Sequence, residues 1–498
     1  MLRRVFCLLL ASVFTAPAFA TTIGQDDSTT ILQSSKIWDV IVIGSGLAGI
    51  SASLSALEAG GKNVLLIEKT PLIGGHSLFS SGSLAAVSPK RQKPQGIEDS
   101  VDLLWKDSYQ VGGEEASEPH IRKIGQDSEA VLDWMDEKGI KFNPQIFQSM
   151  GGLHPRCIAT PGVMAGKTYV LSLYKEAKKL GLQRLLSTKA ISIEPIESPA
   201  TNQPISRWQV LVTHNGKNYP LTSYSVILAT GGFTDNARMR ESYQGNYGQK
   251  IQASTASSLG DRLHGAQGDG IIMAAKQGAA IVGMENIQSM PLSGGRILDY
   301  VGADIYINKN GLRFINEDTS WKALEHALYQ QPEQMMWVIT DAKSHKGIQF
   351  GAKLSNGTIR KSDSIEDMAL GMDINPSVLK KTLQEYNKAV QNKQDPSFGK
   401  KVFTQTIDTP PFYWGKERLY AHMTLGGVKI DTKARVLDTK GQIIPGLYAV
   451  GETTGGIFGK DRLGGMSLMA CLVFGKEAGK QSILYTKKIQ TLNSKEKP

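Results

Sequence analysis

Apolar and polar positions along the chain fall into blocks that read as strand, turn and helix in succession. Asp39-Val-Ile-Val-Ile43 is a nearly continuous apolar run of strand type. It enters Gly44-Ser-Gly46-Leu-Ala-Gly49, and apolar residues then recur with helical spacing at Ile50, Ala52, Leu54 and Leu57 until Gly60-Gly61. A second apolar run, Val64 to Ile67, ends at Glu68. Ser225 to Ala229 predicts another strand before a Gly-Gly turn. Leu447 to Val450 predicts one that ends in Gly451-Glu452, with a Gly-rich loop and then a helix from near Met466. This alternation runs from Ile37 to about Glu285 and resumes near Pro411. The stretch between, about Asn286 to Pro410, has strand-like Ala303–Ile307 and Met336–Ile339 and a helical pattern from Ser377 to Gln391.

The N-terminus has the pattern of an export signal. Arg3 and Arg4 are basic, Val5 to Phe14 is a short apolar core, and Ala18-Phe-Ala20 is a small-x-small cleavage site, which predicts a mature chain from Thr21. The apolar run is too short for a membrane span, and Arg3-Arg4 suits a twin-arginine signal or an ordinary one equally well. Residues 21–35 read as a flexible polar lead, and Asn493–Pro498 as a frayed tail.

Removing residues 1–20 from 498 leaves 478, beyond the usual size of one core, so two domains are expected. Formal charge is +10, less the two of Arg3 and Arg4. Lys178-Lys179, Lys380-Lys381 and Lys400-Lys401, with Lys90, Arg91 and Lys93 in a loop, read as a solvated basic surface, or as a docking face for an acidic electron-transfer protein. No zinc-finger, helix-turn-helix or RNA-binding signature appears, so no nucleic acid is expected. Cys7 leaves with the signal. Cys157 and Cys471 are too few for a disulfide framework or an iron–sulfur cluster, and no Cys-x-x-Cys-His motif carries a c-type haem. Neither a metal site nor an integral membrane segment is expected.

Strand, Gly44-x-Gly46-x-x-Gly49, helix, strand and acid together form a dinucleotide fingerprint. Gly44 allows the tight turn, Gly46 lets a pyrophosphate reach the backbone, and Gly49 lets helix and strand pack closely. Glu68, about 19 residues after Gly49, stands where an acid binds a ribose diol and opposes a 2′-phosphate. The C-terminal block, His422-Met-Thr-Leu-Gly-Gly427, Gly451-Glu452 and Asp461-Arg462-Leu-Gly-Gly465-Met-Ser-Leu468, suits a second backbone approach to a flat cofactor, with an Arg and a His beside it to hold a small anion.

These segments, with Gly74-Gly75-His76-Ser77, Ala229-Thr-Gly-Gly-Phe233, Gly268-Asp-Gly270 and Gly311-Leu-Arg-Phe-Ile-Asn-Glu317, resemble the fumarate reductase and succinate dehydrogenase flavoproteins, most closely their soluble exported branch. The resemblance covers residues 37–485. It implies an α/β fold: a Rossmann-like FAD-binding domain (37–285 and 411–498) with an inserted α+β capping domain (286–410). It implies FAD held by Gly44, Ser45, Gly46, Ala48, Gly49, Glu68, Lys69, Gly75, His76, Ser77, Ser81, Gly82, Thr230, Gly231, Asp269, Glu452, Ser467 and Leu468. His76 stands where membrane-bound relatives attach FAD covalently, though a non-covalent contact is the expectation here. His422 and Arg462 fall on the residues that clamp a substrate carboxylate, while reduced flavin N5 gives hydride to the alkene.

The chain departs from that pattern in the cap. Trp321 occupies the place of the family's proton-donating Arg, and indole N–H cannot shuttle a proton. The residues that hold fumarate's second carboxylate are not evident. Tyr300, Arg296 and Lys322, read as cap loop residues, are the candidate proton donors. The expectation is an exported, periplasmic oxidoreductase that reduces the C=C bond of an unsaturated carboxylate other than fumarate, fed by a separate cytochrome c or quinol-linked donor. Trp321 either stacks on a bulkier substrate or packs the cap. A dehydrogenase for a bulkier substrate and a silent electron-transfer flavoprotein are the alternatives.

Overall fold

The computed structural model describes residues 28–149, 151–162, 164–196, 207–244, 251, 254–255, 265–298, 302–347 and 349–495. The segment read as an export signal and Tyr300 lie outside these residues.

Strand Ile37–Ile43 pairs in parallel with Val64–Ile67 on one side and Lys217–Leu228 on the other. Ile443–Ala449 adds to Lys217–Leu228, and Gln183–Leu185 adds to Val64–Ile67, again in parallel. Buried on both faces, Ile37–Ile43 and Val64–Ile67 are nearly continuous apolar runs, and Lys217–Leu228 and Ile443–Ala449 are buried toward their carboxyl ends. Register decides where the chain leaves the sheet. Ile43 pairs with both Ile67 and Leu228, and Leu228 pairs with Ala449. Gly44, Glu68, Ala229 and Val450 therefore emerge at one edge, the carboxyl edge where open α/β sheets bind ligands.

Helix Leu47–Glu58 follows Gly44–Gly46 and is buried from Leu47 to Leu57. Its many Ala and Ser side chains let another helix approach closely. That partner is Met466–Lys495, whose Gly475 and Gly479 lie against the backbone and small side chains of Ala48, Ser51, Ala52 and Ser55. Ser55 Oγ donates to Lys476 O at 2.7 Å. The two ends of the fold are thus packed directly under the cofactor turn.

A second, antiparallel sheet is built on one long strand, Phe412–Thr424. Its first half pairs with Met335–Thr340 and Ile359–Ser362, and its second half with Ile287–Pro291. Helices Trp321–Tyr329, Ile365–Gly371 and Pro376–Asn392 belong to the same region. Leu379, Leu383 and Tyr386 pack with Ile305, Ile339 and Trp414 in its core.

Several expectations need correction. Ser28–Leu32 is a short helix with Ile31 and Leu32 buried, not a flexible lead, because two adjacent apolar side chains find cover on the domain. Helix continues to Lys495, past the expected frayed start at Asn493. Pro89–Gln92 is a helical turn rather than a loop, with Arg91 paired to Asp133 and Asp136. Lys400 is buried, not surface-exposed: its Nζ lies 3.0 Å from Glu317, which also pairs with Arg313, and Arg313 reaches Asp395. Satisfied buried ions of this kind fix geometry more than they add stability. Lys322 lies in the first turn of helix Trp321–Tyr329 and pairs with Glu325 at 3.0 Å.

A Cβ at Gly479 would overlap Ala52 O. Gly479→Ala should therefore destabilise the protein by about 1–3 kcal/mol and lower its melting temperature. Gly351→Ala, with open space around it and no positive φ, should melt like wild type. Equal melting of all three proteins would contradict this packing.

Candidate active site

One cavity of about 1080 Å³ runs along the carboxyl edge of the parallel sheet and under the second sheet. That volume lies at or above the upper end of ordinary small-molecule sites, about 300–1,000 Å³. At one end it is lined by Gly44, Ser45, Gly46, Glu68, Lys69 and Thr188, and at the other by His422, Arg462, Arg296, Trp321 and Tyr420.

The dinucleotide end is shaped by backbone. Gly44 has φ 103°, and a Cβ there would overlap Ala229 O, so only Gly fits between the two crossing chains. Gly46 is different: a Cβ would meet only Ser77 Oγ, at 3.7 Å, so the space beside it is free for a ligand. Glu68 Oε2 accepts from Ser45 N at 3.1 Å and Ser45 Oγ at 2.6 Å, and Oε1 accepts from Thr70 N at 2.8 Å. Each carboxylate oxygen has two lone pairs, so acceptor capacity remains for a ribose diol. Lys69 and Asp269 pair with each other at 2.6 Å, and Lys189 joins Asp269 at 3.3 Å. Gly75, His76, Ser77, Ser81, Gly82, Thr230, Gly231, Ala48, Ser467 and Leu468 are also on the wall. Gly49 is not. A Cβ there would overlap Gly44 O, so its part is helix–strand packing. A long cleft with open glycine backbone and a buried acid fits FAD.

The other end has an unusual charge balance. Arg462 is buried, and its guanidinium reaches Met423 Sδ at 3.1 Å, Leu463 O at 3.3 Å and His422 Nε2 at 3.4 Å. None of these is a carboxylate. The adjacent Asp461 turns to Gln288 Nε2 and to the Arg462 backbone N–H. Glu452 accepts from Thr424 N and Oγ1 at 2.9 and 3.2 Å, and burial pushes its carboxyl up to about 7. The ion pair with Glu452 that would make Arg462 purely structural is not formed.

Two imidazoles flank the guanidinium. The rings of His76 and His422 meet edge to face, 5.8 Å between centroids. Burial, and then the Arg462 charge, pull His76 down to about 4 and His422 well below its ordinary value. Both are neutral at working pH. Thr255 Oγ1 contacts His422 Nδ1 at 3.1 Å and donates to His422 O at 3.3 Å. With its one proton spent there, the hydroxyl accepts from Nδ1–H, which assigns Nε2 as the acceptor facing Arg462. This corner thus carries one fixed positive charge, and a desolvated guanidinium with no carboxylate in contact among the described residues favours a planar anion.

Opposite stand Met290, Leu292, Trp321, Tyr420, Arg296, Lys353 and Glu417. The guanidinium of Arg296 lies 5.0 Å from the Trp321 ring centroid. Tyr420, Glu417 and Lys353 were missed by sequence reasoning. Tyr420 was findable: on a strand, residues 420, 422 and 424 share one face, so an active-site His422 brings Tyr420 with it. Lys322, paired with Glu325, is not on the cavity wall.

Residues 39–468 match the family model described as FAD binding domain. The chain is 31% identical over 459 residues to a probable fumarate reductase of Shewanella frigidimarina, covering 89% of this chain and 74% of that protein. It is 31% identical to a urocanate reductase of Eggerthella lenta, over 89% of this chain and 74% of that protein. It is 29% identical to an acrylate reductase flavoprotein subunit of Shewanella woodyi, over 93% and 94%. Among solved structures, an open flavocytochrome c3 fumarate reductase superposes with a TM-score of 0.75 at 28% identity, over 93% of this chain and 81% of that one.

Depressed histidines make stability depend on pH. Between about pH 4 and the ordinary histidine value the unfolded chain binds protons that folded His76 and His422 refuse, so these groups destabilise the fold as pH falls through that window. Nitrogen-15 histidine NMR should show His76 protonating near pH 4 and His422 protonating well below the ordinary histidine range. An imidazolium signal from either at about pH 6 would contradict the burial described.

Proposed function

The chain belongs to the FAD-binding flavoprotein family that includes the fumarate reductases, is an FAD-dependent oxidoreductase of that type, and from that premise we propose that it reduces the C=C bond of a small α,β-unsaturated monocarboxylate. The observation that carries this reading is the buried Arg462 guanidinium, which forms no carboxylate ion pair among the described residues and is flanked by neutral His422 and His76 on the cavity wall. An Arg fork matches a carboxylate in plane and distance. Across the cavity Met290 and Leu292 supply apolar surface, and Trp321 is engaged by Arg296 rather than open to an aromatic substrate. That wall suits a compact acid with one carboxylate.

Gly44, Ser45, Gly46, Glu68, Thr230, Glu452 and the first turn of Met466–Lys495 would hold FAD. Held there, the flavin in its reduced form would supply hydride for the alkene. Arg462 fixes the substrate carboxylate and, by pairing with it, draws electron density from the conjugated alkene, so that its β carbon accepts hydride. His422, neutral and oriented by Thr255, keeps Arg462 in place without competing for the anion. Reducing equivalents come from a separate cytochrome or quinol-linked donor, and the Arg3–Ala20 pattern supports export to the periplasm. Among the described residues no helix is long and apolar enough to cross a membrane.

Arg462→Ala should retain FAD but lose enoate reduction by about 10³-fold or more, the scale of a lost charge-stabilising contact. Arg462→Lys should recover little of it. Reoxidation of the dye-reduced protein by acrylate and other enoates measures this. Full turnover in Arg462→Ala would overturn the clamp.

A further inference from the structure

Fixing the carboxylate and adding hydride at the β carbon leaves the α carbon in need of a proton. Several groups on the cavity wall can be set aside as its source. His76 and His422 are neutral imidazoles beside a fixed cation. Glu452 is held by Thr424. Glu417 is fully buried and accepts from Ser293 N, Ser293 Oγ and Arg296 N, at 2.6, 2.9 and 2.8 Å. Lys353 Nζ is 2.8 Å from Arg296 O. Trp321 offers only an indole N–H.

The contacts of Glu417, Lys353 and Trp321 converge on one residue. The Arg296 backbone is held at both ends of its peptide unit, N–H on Glu417 and C=O on Lys353. Its guanidinium is placed over Trp321, 5.0 Å from the ring centroid. Trp321 is itself fixed. It opens a helix capped by Ser320, whose side chain accepts from Ala323 N at 3.2 Å, and its indole lies so close to Gly151 that a Cβ there would stand 2.6 Å from Cδ1. Tightly held loop, stacked cation and rigid platform together describe a preorganised group rather than a solvated surface Arg.

We propose that Arg296 delivers the proton to the α carbon of the bound enoate, and that Trp321 and Glu417 are positioning residues that hold it there. This rests on the reading of Arg462 as the carboxylate clamp. The balance is simple. Hydride from reduced FAD forms the new C–H bond at the β carbon, the alkene π pair moves to the α carbon, and that pair takes a proton from the guanidinium. A carbanion next to a carboxylate is a far stronger base than neutral guanidine, so the transfer runs downhill despite the high pKa of Arg. Water then reprotonates Arg296. A guanidinium supplied by residues 293–296 takes the task that Trp321, at the head of a neighbouring helix, cannot perform.

The test uses FAD-loaded enzyme with two readouts: turnover of acrylate by dye-reduced protein, and equilibrium binding of propionate followed by the visible flavin spectrum. Arg296→Gln should lower kcat by about 10²–10⁴-fold, the range for a lost general acid, while propionate still binds within about threefold of wild type. Added guanidinium ion should restore part of kcat to Arg296→Gly. Trp321→Leu should lower kcat about tenfold, the scale of a lost cation–π contact, with KM little changed, and Trp321→Phe should fall less. If Arg296→Gln loses FAD, Arg296→Lys carries the test with the same two readouts. The proposal is overturned if Arg296→Gln keeps kcat within about threefold, if propionate binding falls in step with kcat, or if Tyr420→Phe abolishes turnover while Arg296→Gln retains it. Arg462→Ala separates the two levels. Lost propionate binding there with normal kcat in Arg296→Gln would sink only the proton donor, whereas normal turnover in Arg462→Ala would sink the clamp beneath it.

Discussion

A buried guanidinium without a carboxylate beside it is the constraint around which this site is arranged. Desolvating a cation costs several kcal/mol unless something compensates, and among the described residues the Arg462 guanidinium touches a thioether, a carbonyl and an imidazole rather than a carboxylate, with Asp461 and Glu452 acting on it as nearby charges. The neighbouring acids are turned elsewhere, Asp461 to Gln288 and Glu452 to Thr424. The same burial that leaves the cation unpaired keeps His76 and His422 neutral. A substrate carboxylate supplies the missing charge, so binding energy is concentrated at the group that must be oriented for hydride transfer.

Strand Phe412–Thr424 connects this corner to the rest of the molecule. Thr424 holds Glu452 at the cofactor edge of the parallel sheet, His422 meets Arg462, Tyr420 faces the cavity, and Glu417 anchors the loop that carries Arg296. One strand therefore sets the spacing between the half of the site that binds FAD and the half that faces it. The close crossing of helices Leu47–Glu58 and Met466–Lys495 fixes the FAD half from beneath.

The fingerprint and the carboxyl-edge positions were legible because each is a local pattern: an apolar run, a glycine turn, a helix start. Arg462 and His422 were legible because they sit inside such patterns. Arg296 and Trp321 on the facing wall were singled out, but not their pairing. Arg296 and Trp321 are 25 positions apart and meet only through the tertiary fold, and Lys353 reaches Arg296 from farther still. Glu417 has no local signal that sets it apart from a surface charge, yet it is wholly buried. Lys400 looked like surface for the same reason, since composition cannot say that Glu317 and Arg313 wait for it. Trp321 was noticed as a departure, but its partner came from a different segment.

The central claim is that Arg462 recognises the anionic form of a carboxylate. Calorimetric titration of the oxidised, FAD-loaded protein with propionate and with propionamide, its neutral isostere, tests it most directly. The account predicts that propionate binds at least about tenfold more tightly, a difference of about 1.4 kcal/mol. Equal affinity for acid and amide would contradict it.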